Sequence, residues 1–183
     1  MVAAPGGGKG TQSERLALRF GAQHISSGDV LRAEARADTP AGREIAACQR
    51  RGDLVPDQIV FDLLTPVVAA AAARGGYILD GFPRTLPQAI AAAELGARLD
   101  LTLDAAVYLN VPKPVLIERL LARARPDDTA GVIRHRVQVF TETTSPLISY
   151  YRDRGILVEV DADQSPESIT DEIQARLLDR PIR

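Results

Sequence analysis

Short apolar runs alternate along this chain with longer stretches in which apolar residues recur every three or four positions. The first pattern predicts buried strands and the second amphipathic helices. Strand-like runs lie at Val2–Ala4, Gln23–Ser26, Tyr77–Leu79, Ala105–Val111 and Ile156–Val160. Helical patterns cover Gly10–Phe20, Gly28–Ala37, Pro40–Arg51, Pro56–Arg74, Leu86–Leu95, Pro114–Ala124, Ala130–Arg152 and Pro166–Leu178. Their ends carry stop and start signals. Gly52 suits a C-cap, Gly75-Gly76 closes the fourth helix, and Ser165 suits the N-cap of the last. Pro66 is expected to kink the fourth helix or split it in two.

Strands that alternate with helices predict an α/β fold with a parallel sheet, here of five strands with helices on both faces. At 183 residues, one domain is expected over 1–183. Two segments read as inserts, a helical pair at about 26–55 and a short polar loop at about 122–132. The longest apolar run, VVAAAAA at 67–73, is too short to span a bilayer. No signal peptide pattern is present, so a cytosolic location is expected. The first strand is expected to be truncated, with the natural protein beginning a few residues upstream of Met1.

A net charge of −2 does not point to nucleic acid or membrane as a partner. One cysteine, Cys48, allows neither an intrachain disulfide nor a four-thiolate zinc site. The basic residues sharpen the picture: of 22, only Lys9 and Lys113 are lysines. Arginine suits bidentate phosphate binding, and one of the two lysines falls inside a glycine run.

That run is GGGKGT, Gly6, Gly7, Gly8, Lys9, Gly10 and Thr11. Glycines let backbone N–H groups converge on an anion, and the following helix points its N-terminal dipole there. The pattern G-x-x-x-x-G-K-[ST] is not fully met, because Ala3 replaces the first glycine and Gly10 separates Lys9 from Thr11. A glycine-rich turn with an incidental lysine is the alternative. In YILDGFPRTLPQA, Asp80 ends a strand, where an acid can hold Mg²⁺ through water, and Arg84 can clamp a phosphate. An ordinary strand-to-helix turn fits equally well. SSGDVLR places Ser27, Asp29 and Arg32 at a helix start, where Ser27 also suits a plain N-cap. Arg119 and Arg123 are four apart on one helix face, and Arg125 and Arg136 flank a loop holding Asp127 and Asp128. These arginines read as a mobile cover closing on phosphate, with the aspartates pairing to them. His24 and His135 lack a partner constellation and read as structural rather than catalytic.

Taken in order, APGGGKGTQ, ISSGDVLR, GDLVPD, ILDGFPRTLPQA, RARPDDT and TSPLISYYRDRG resemble the motifs of adenylate kinases over essentially the whole chain. The resemblance implies a phosphate-loop NTPase type of fold and a compact lid without zinc-binding cysteines. It implies reversible phosphoryl transfer from ATP to AMP, giving two ADP, with Mg²⁺, in a monomer. Carried over, Gly6 to Thr11 would bind the ATP phosphates, with Lys9 central, and Arg119 and Arg123 would contact ATP. Ser27, Arg32, Asp53, Leu54, Val55, Gly81, Phe82, Pro83, Arg84 and Gln88 would form the AMP site, with Gln88 reading the adenine edge. Arg125 and Arg136 would close onto AMP and the transferring group. Asp80 and Asp29 would order the Mg²⁺ waters. Ser27 stands where many members have threonine, and VDADQ has no glycine where the family places one against the ATP base. A nucleotide-binding paralogue with little turnover and a kinase for another nucleoside monophosphate are the other readings.

Overall fold

The structure is a computed structural model that describes residues 1–123 and 129–180. Its elements follow the alternating pattern closely. In order they are α1 (Lys9–Phe20), β1 (Gln23–Ser26), α2 (Ser27–Glu34), α3 (Pro40–Arg51), α4 (Asp57–Ala72), β2 (Tyr77–Asp80), α5 (Leu86–Arg98), β3 (Ala106–Asn110) and α6 (Lys113–Arg123). After the undescribed stretch come α7 (Ala130–Val139), a π-helical turn (Phe140–Thr144), α8 (Pro146–Asp153), β4 (Leu157–Asp161) and α9 (Pro166–Leu178).

The strands do not form one continuous five-stranded sheet. Among the described residues β1 pairs in parallel with β2, and β3 in parallel with β4. The N-terminal residues lie between the two pairs. The Met1 amino group donates to the Leu79 carbonyl at 2.7 Å. Val2 N–H donates to Val107 O at 2.8 Å and Val2 O accepts from Leu109 N–H at 3.0 Å, a single parallel bridge to Tyr108. The expected strand Val2–Ala4 therefore reduces to one bridging residue. Its next two carbonyls are engaged elsewhere: the Lys9 ammonium donates to Ala3 O at 2.8 Å and Ala4 O at 3.3 Å. Among the described residues neither carbonyl accepts from an N–H of a neighbouring strand.

Strand alternation distributes the core. Val107 and Leu109 pack with Leu16, Ile169 and Ile173 from α1 and α9. Their neighbours Ala106 and Tyr108 pack with Ala89, Leu147 and Tyr151 from α5 and α8. β3 is thus covered on both faces, as a parallel strand within an α/β layer structure must be. A separate cluster joins β1 to α2, α3 and α4 through Ile25, Leu31, Ile45, Val60 and Leu64. Full burial of side chains such as Leu16 and Ile45 contributes about 1.5–3 kcal/mol each.

Two helix expectations change. The stretch 130–152 is not one helix. It passes through the π-helical turn and restarts at Pro146, whose ring and missing N–H oppose continuation from the preceding turn. Pro66 does not split α4, which is unbroken from Asp57 to Ala72, and the Thr65 hydroxyl donates to Phe61 O there at 2.7 Å. Among the described residues no helix is long and apolar enough to cross a membrane.

Candidate active site

The carboxyl ends of the strands open onto a cavity of about 820 Å³, the edge where α/β sheets take ligands. One wall is the loop from Pro5 to Gly8, which leads into α1. Gly6 and Gly8 adopt left-handed φ of 83° and 84°, conformations that cost a side-chain-bearing residue heavily. Close packing adds a second constraint at Gly6. A Cβ there would come within 2.8 Å of Leu116 O and 2.9 Å of Leu120 Cγ, both on α6. Gly8 and Gly10 face open space instead. Lys9, held across the loop by Ala3 O and Ala4 O, opens α1 with its ammonium at the strand end. Thr11 also lines the cavity.

The opposite wall is built by β1, β2 and the turns after them. Ser26, not Ser27, caps α2, its hydroxyl accepting from Asp29 N–H at 3.3 Å. The Ser27 hydroxyl is buried and has no hydrogen-bond partner among the described residues. A Cβ on Gly81, whose φ is 78°, would stand 2.4 Å from that hydroxyl, so this glycine lets the two turns meet. Phe82 is buried, its ring edge-on to Phe61 at 5.3 Å, and its peptide bond to Pro83 is cis. Arg32 pairs with Asp29 at 2.5 Å.

Arg84 lines the cavity, its surface exposed there while protein packs around the guanidinium. Its Nε donates to Gly81 O at 2.7 Å. That enclosure, the nearby Arg136 and, less strongly, Arg32 push its guanidinium below the ordinary arginine range, with Asp80 opposing. Three guanidiniums whose charges repel converge on one concave space. Gln88 is buried beside them. Its Oε1 accepts from Arg84 N–H at 2.7 Å, and its Nε2 donates to Asp57 Oδ1 at 2.7 Å.

Asp80 closes β2 and is buried, with Oδ2 2.6 Å from His24 Nε2. Asp53 stands between Arg51 Nε at 2.6 Å and His135 Nε2 at 2.9 Å. Hydrogen bonds from Arg51 first and His135 second hold its carboxyl below the usual range. Leu54 and Val55 continue that wall. On the far side Arg119 Nη2 donates to Ala162 O at 3.0 Å, which ties α6 to the end of β4. The Arg123 side chain and Arg125, Asp127 and Asp128 lie outside the described residues.

Both histidines thus have carboxylate partners that sequence spacing did not reveal. The signal for His24 lay in strand register, since pairing Ser26 with Asp80 puts His24, two residues back on the same face of β1, within reach of that carboxylate. Asp57, which holds Gln88, ends the GDLVPD motif, but nothing in the sequence linked it to Gln88.

A glycine loop at a helix N-terminus, facing clustered arginines across one cavity, defines a phosphate-loop protein of the α/β class. Comparison with known proteins narrows this further. Residues 1–156 match the profile of the adenylate kinase family. The chain is 49% identical over 169 residues to the adenylate kinase of Parasynechococcus marenigrum strain WH8102, covering 92% of each chain. It is 47% identical over 173 residues to that of Prochlorococcus marinus strain MIT 9303, covering 94% of each. Against adenylate kinase 1 of Nostoc sp. strain PCC 7120 the identity is 43% over 173 residues, again 94% of each. The chain belongs to the adenylate kinase family.

Proposed function

We propose that the protein is an ATP:AMP phosphotransferase, moving a phosphoryl group reversibly between the two nucleotides to give two ADP. One observation carries the reading: the glycine loop with Lys9 and the group Arg84, Arg32 and Arg136 line one and the same cavity. A donor on the loop and an acceptor monophosphate among the arginines would be aligned for in-line transfer.

In this reading Gly6, Gly7, Gly8, Gly10 and Thr11 cradle the ATP phosphates, and Lys9 moves from the Ala3 and Ala4 carbonyls to the phosphates. Arg119 and Arg123 hold ATP and the transferring group. Ser27, Arg32, Asp53, Leu54, Val55, Gly81, Phe82, Pro83, Arg84 and Gln88 form the acceptor site, and the Ser27 hydroxyl, without a partner among the described residues, has a hydrogen bond to offer there. Arg125 and Arg136 close on the acceptor with the lid at about 122–132, excluding water that would otherwise take the phosphoryl group. The insert at about 26–55 carries the acceptor side, and Asp127 and Asp128 order the lid. The two parallel strand pairs, linked by backbone bonds of Met1 and Val2, read as a five-stranded parallel arrangement whose first strand is reduced to a single bridge rather than a continuous ladder.

Asp80 fits a hydrated Mg²⁺. It offers a lone buried carboxylate at the strand end, with one oxygen taken by His24, which suits a cation that keeps most of its water. Asp29 is the second candidate. Bound with ATP, Mg²⁺ would neutralise charge on the phosphates. We take the protein to act as a cytosolic monomer.

The deciding experiment is an acceptor panel with ATP: AMP, UMP, CMP and GMP, each followed by coupled detection of ADP. Strong turnover with AMP and little with the others is expected. Turnover preferring another monophosphate overturns the acceptor assignment, and nucleotide binding without turnover overturns the enzyme.

A further inference from the structure

The buried Gln88 amide is held at both ends, and the two holding groups differ in chemistry. Arg84 N–H can only donate, and it reaches Oε1 at 2.7 Å. A carboxylate can only accept, and that of Asp57 takes a hydrogen from Nε2 at 2.7 Å. Reversing the amide would set Nε2 hydrogens against the Arg84 N–H and Oε1 against the carboxylate. Both contacts would then be repulsive, so the two partners enforce one flip.

A primary amide has two hydrogens and two oxygen lone pairs. With one of each engaged, Gln88 keeps one acceptor and one donor for a ligand, in fixed places within the cavity wall. A 6-amino purine presents a donor N–H beside an acceptor ring nitrogen, and a 6-oxo purine presents the reverse. An amide free to flip serves both, whereas an amide locked in one flip serves one.

We propose that Asp57 is a positioning residue for acceptor selection: by fixing the flip of the Gln88 amide it makes the site discriminate 6-amino from 6-oxo purine monophosphates. The inference rests on the reading that Gln88 meets the acceptor base. Asp57 itself touches no reacting atom and acts through Gln88. Arg84 N–H alone also favours the same flip, but a single hydrogen bond to a side chain that can rotate away leaves the amide less constrained.

The test compares AMP with inosine monophosphate as acceptors, with saturating ATP, in the full chain and in Asp57→Ala and Asp57→Asn. The unchanged protein should strongly prefer AMP. Asp57→Ala should lower the AMP-to-IMP ratio of kcat/KM by about tenfold, with the KM for ATP unaltered. Asp57→Asn keeps an acceptor oxygen but is itself able to flip, so its ratio should fall between the two. A structural role alone would depress both acceptors equally and leave the ratio intact, and that result overturns the proposal. If Asp57→Ala folds poorly, the Asp57→Asn ratio decides: a value equal to that of the unchanged protein likewise overturns it. No preference for AMP in the unchanged protein would overturn the reading of Gln88 as well, which separates the two failures.

Discussion

His135 Nε2 lies 2.9 Å from Asp53 Oδ1, which joins α7, the helix carrying Arg136, to the turn that forms one wall of the cavity. Packing reinforces the link, since a Cβ on Gly52 would meet Val132 Cγ1 at 3.2 Å and His135 Cδ2 at 3.4 Å. Arg51 grips the other Asp53 oxygen, and the carboxyl is held below its usual range by Arg51 first and His135 second. A carboxyl whose pKa is lowered on folding contributes stability above its unfolded pKa and loses it as pH falls through the folded value. Asp53→Asn should therefore lower Tm at neutral pH by a small amount, about 2 °C for so exposed a group. The difference from the unchanged protein should shrink on acidification below about pH 4. Thermal melts at pH 7 and pH 3 check both statements. A gap that widens in acid contradicts them.

Arg84 is crowded by charges of its own sign, and enclosure with Arg136 and Arg32 lowers its pKa. Convergent like charges repel, and a bound phosphate would offset that repulsion. Arg84→Ala should accordingly separate function from stability. We expect kcat/KM for AMP to fall about 10²-fold or more, as when a charge stabiliser of a transition state is removed. Tm should stay within about 2 °C or rise, because the lost hydrogen bond to Gly81 O is balanced by relief of repulsion. A near-native rate would remove Arg84 from the phosphate clamp, and a large fall in Tm would show the cluster to be structural.

Much of this fold was legible because local rules agree with one another. Seven of the helices lie where apolar period and end signals put them, and Gly52 and Ser165 cap as expected. The glycine run and DGFPR occur in the structure at the two walls of one cavity. Long-range partners were not legible. His24 with Asp80 is 56 positions apart and His135 with Asp53 is 82, and such contacts depend on strand register and helix packing that no window of sequence encodes. The π-helical turn before Pro146 escaped for a different reason: its residues, FTETT, continue a helical pattern that one proline interrupts. The hydrophobic run Val2–Ala4 reads as a strand, yet only Val2 makes a bridge, and the Ala3 and Ala4 carbonyls accept from the Lys9 ammonium.

The glycines of the loop are not equivalent, and substitution should sort them. Gly6→Ala combines a left-handed φ of 83° with backbone and side-chain atoms of α6 inside 3 Å. Leu116 O belongs to the backbone and cannot yield. A loss of about 2–3 kcal/mol, or roughly 5–10 °C in Tm, is expected. Gly10 lies within α1, facing open space and with ordinary φ, so Gly10→Ala should leave Tm unchanged or raise it slightly through helix propensity. Melting curves of the two variants side by side make the comparison. Equal losses at both positions would mean that the Gly6 contact with α6 is not what constrains the loop.

His24 and Asp80 sit on neighbouring parallel strands, and their 2.6 Å contact ties the end of β2 to β1 beside the cavity. Asp80 is only 8% exposed, so removing the imidazole leaves a buried carboxylate oxygen without that donor. Loss of a partner costs more than a hydrogen bond contributes, because the stranded group has already given up its water. His24→Ala should therefore destabilise by about 1–3 kcal/mol, roughly 3–8 °C in Tm. His24→Gln, whose amide can still donate, should recover part of the loss. The double variant His24→Ala with Asp80→Asn discriminates between a specific pair and two separate packing effects. If the pair carries the stability, the double variant loses less than the sum of the single variants. Strict additivity in denaturant unfolding would show that the two side chains act independently.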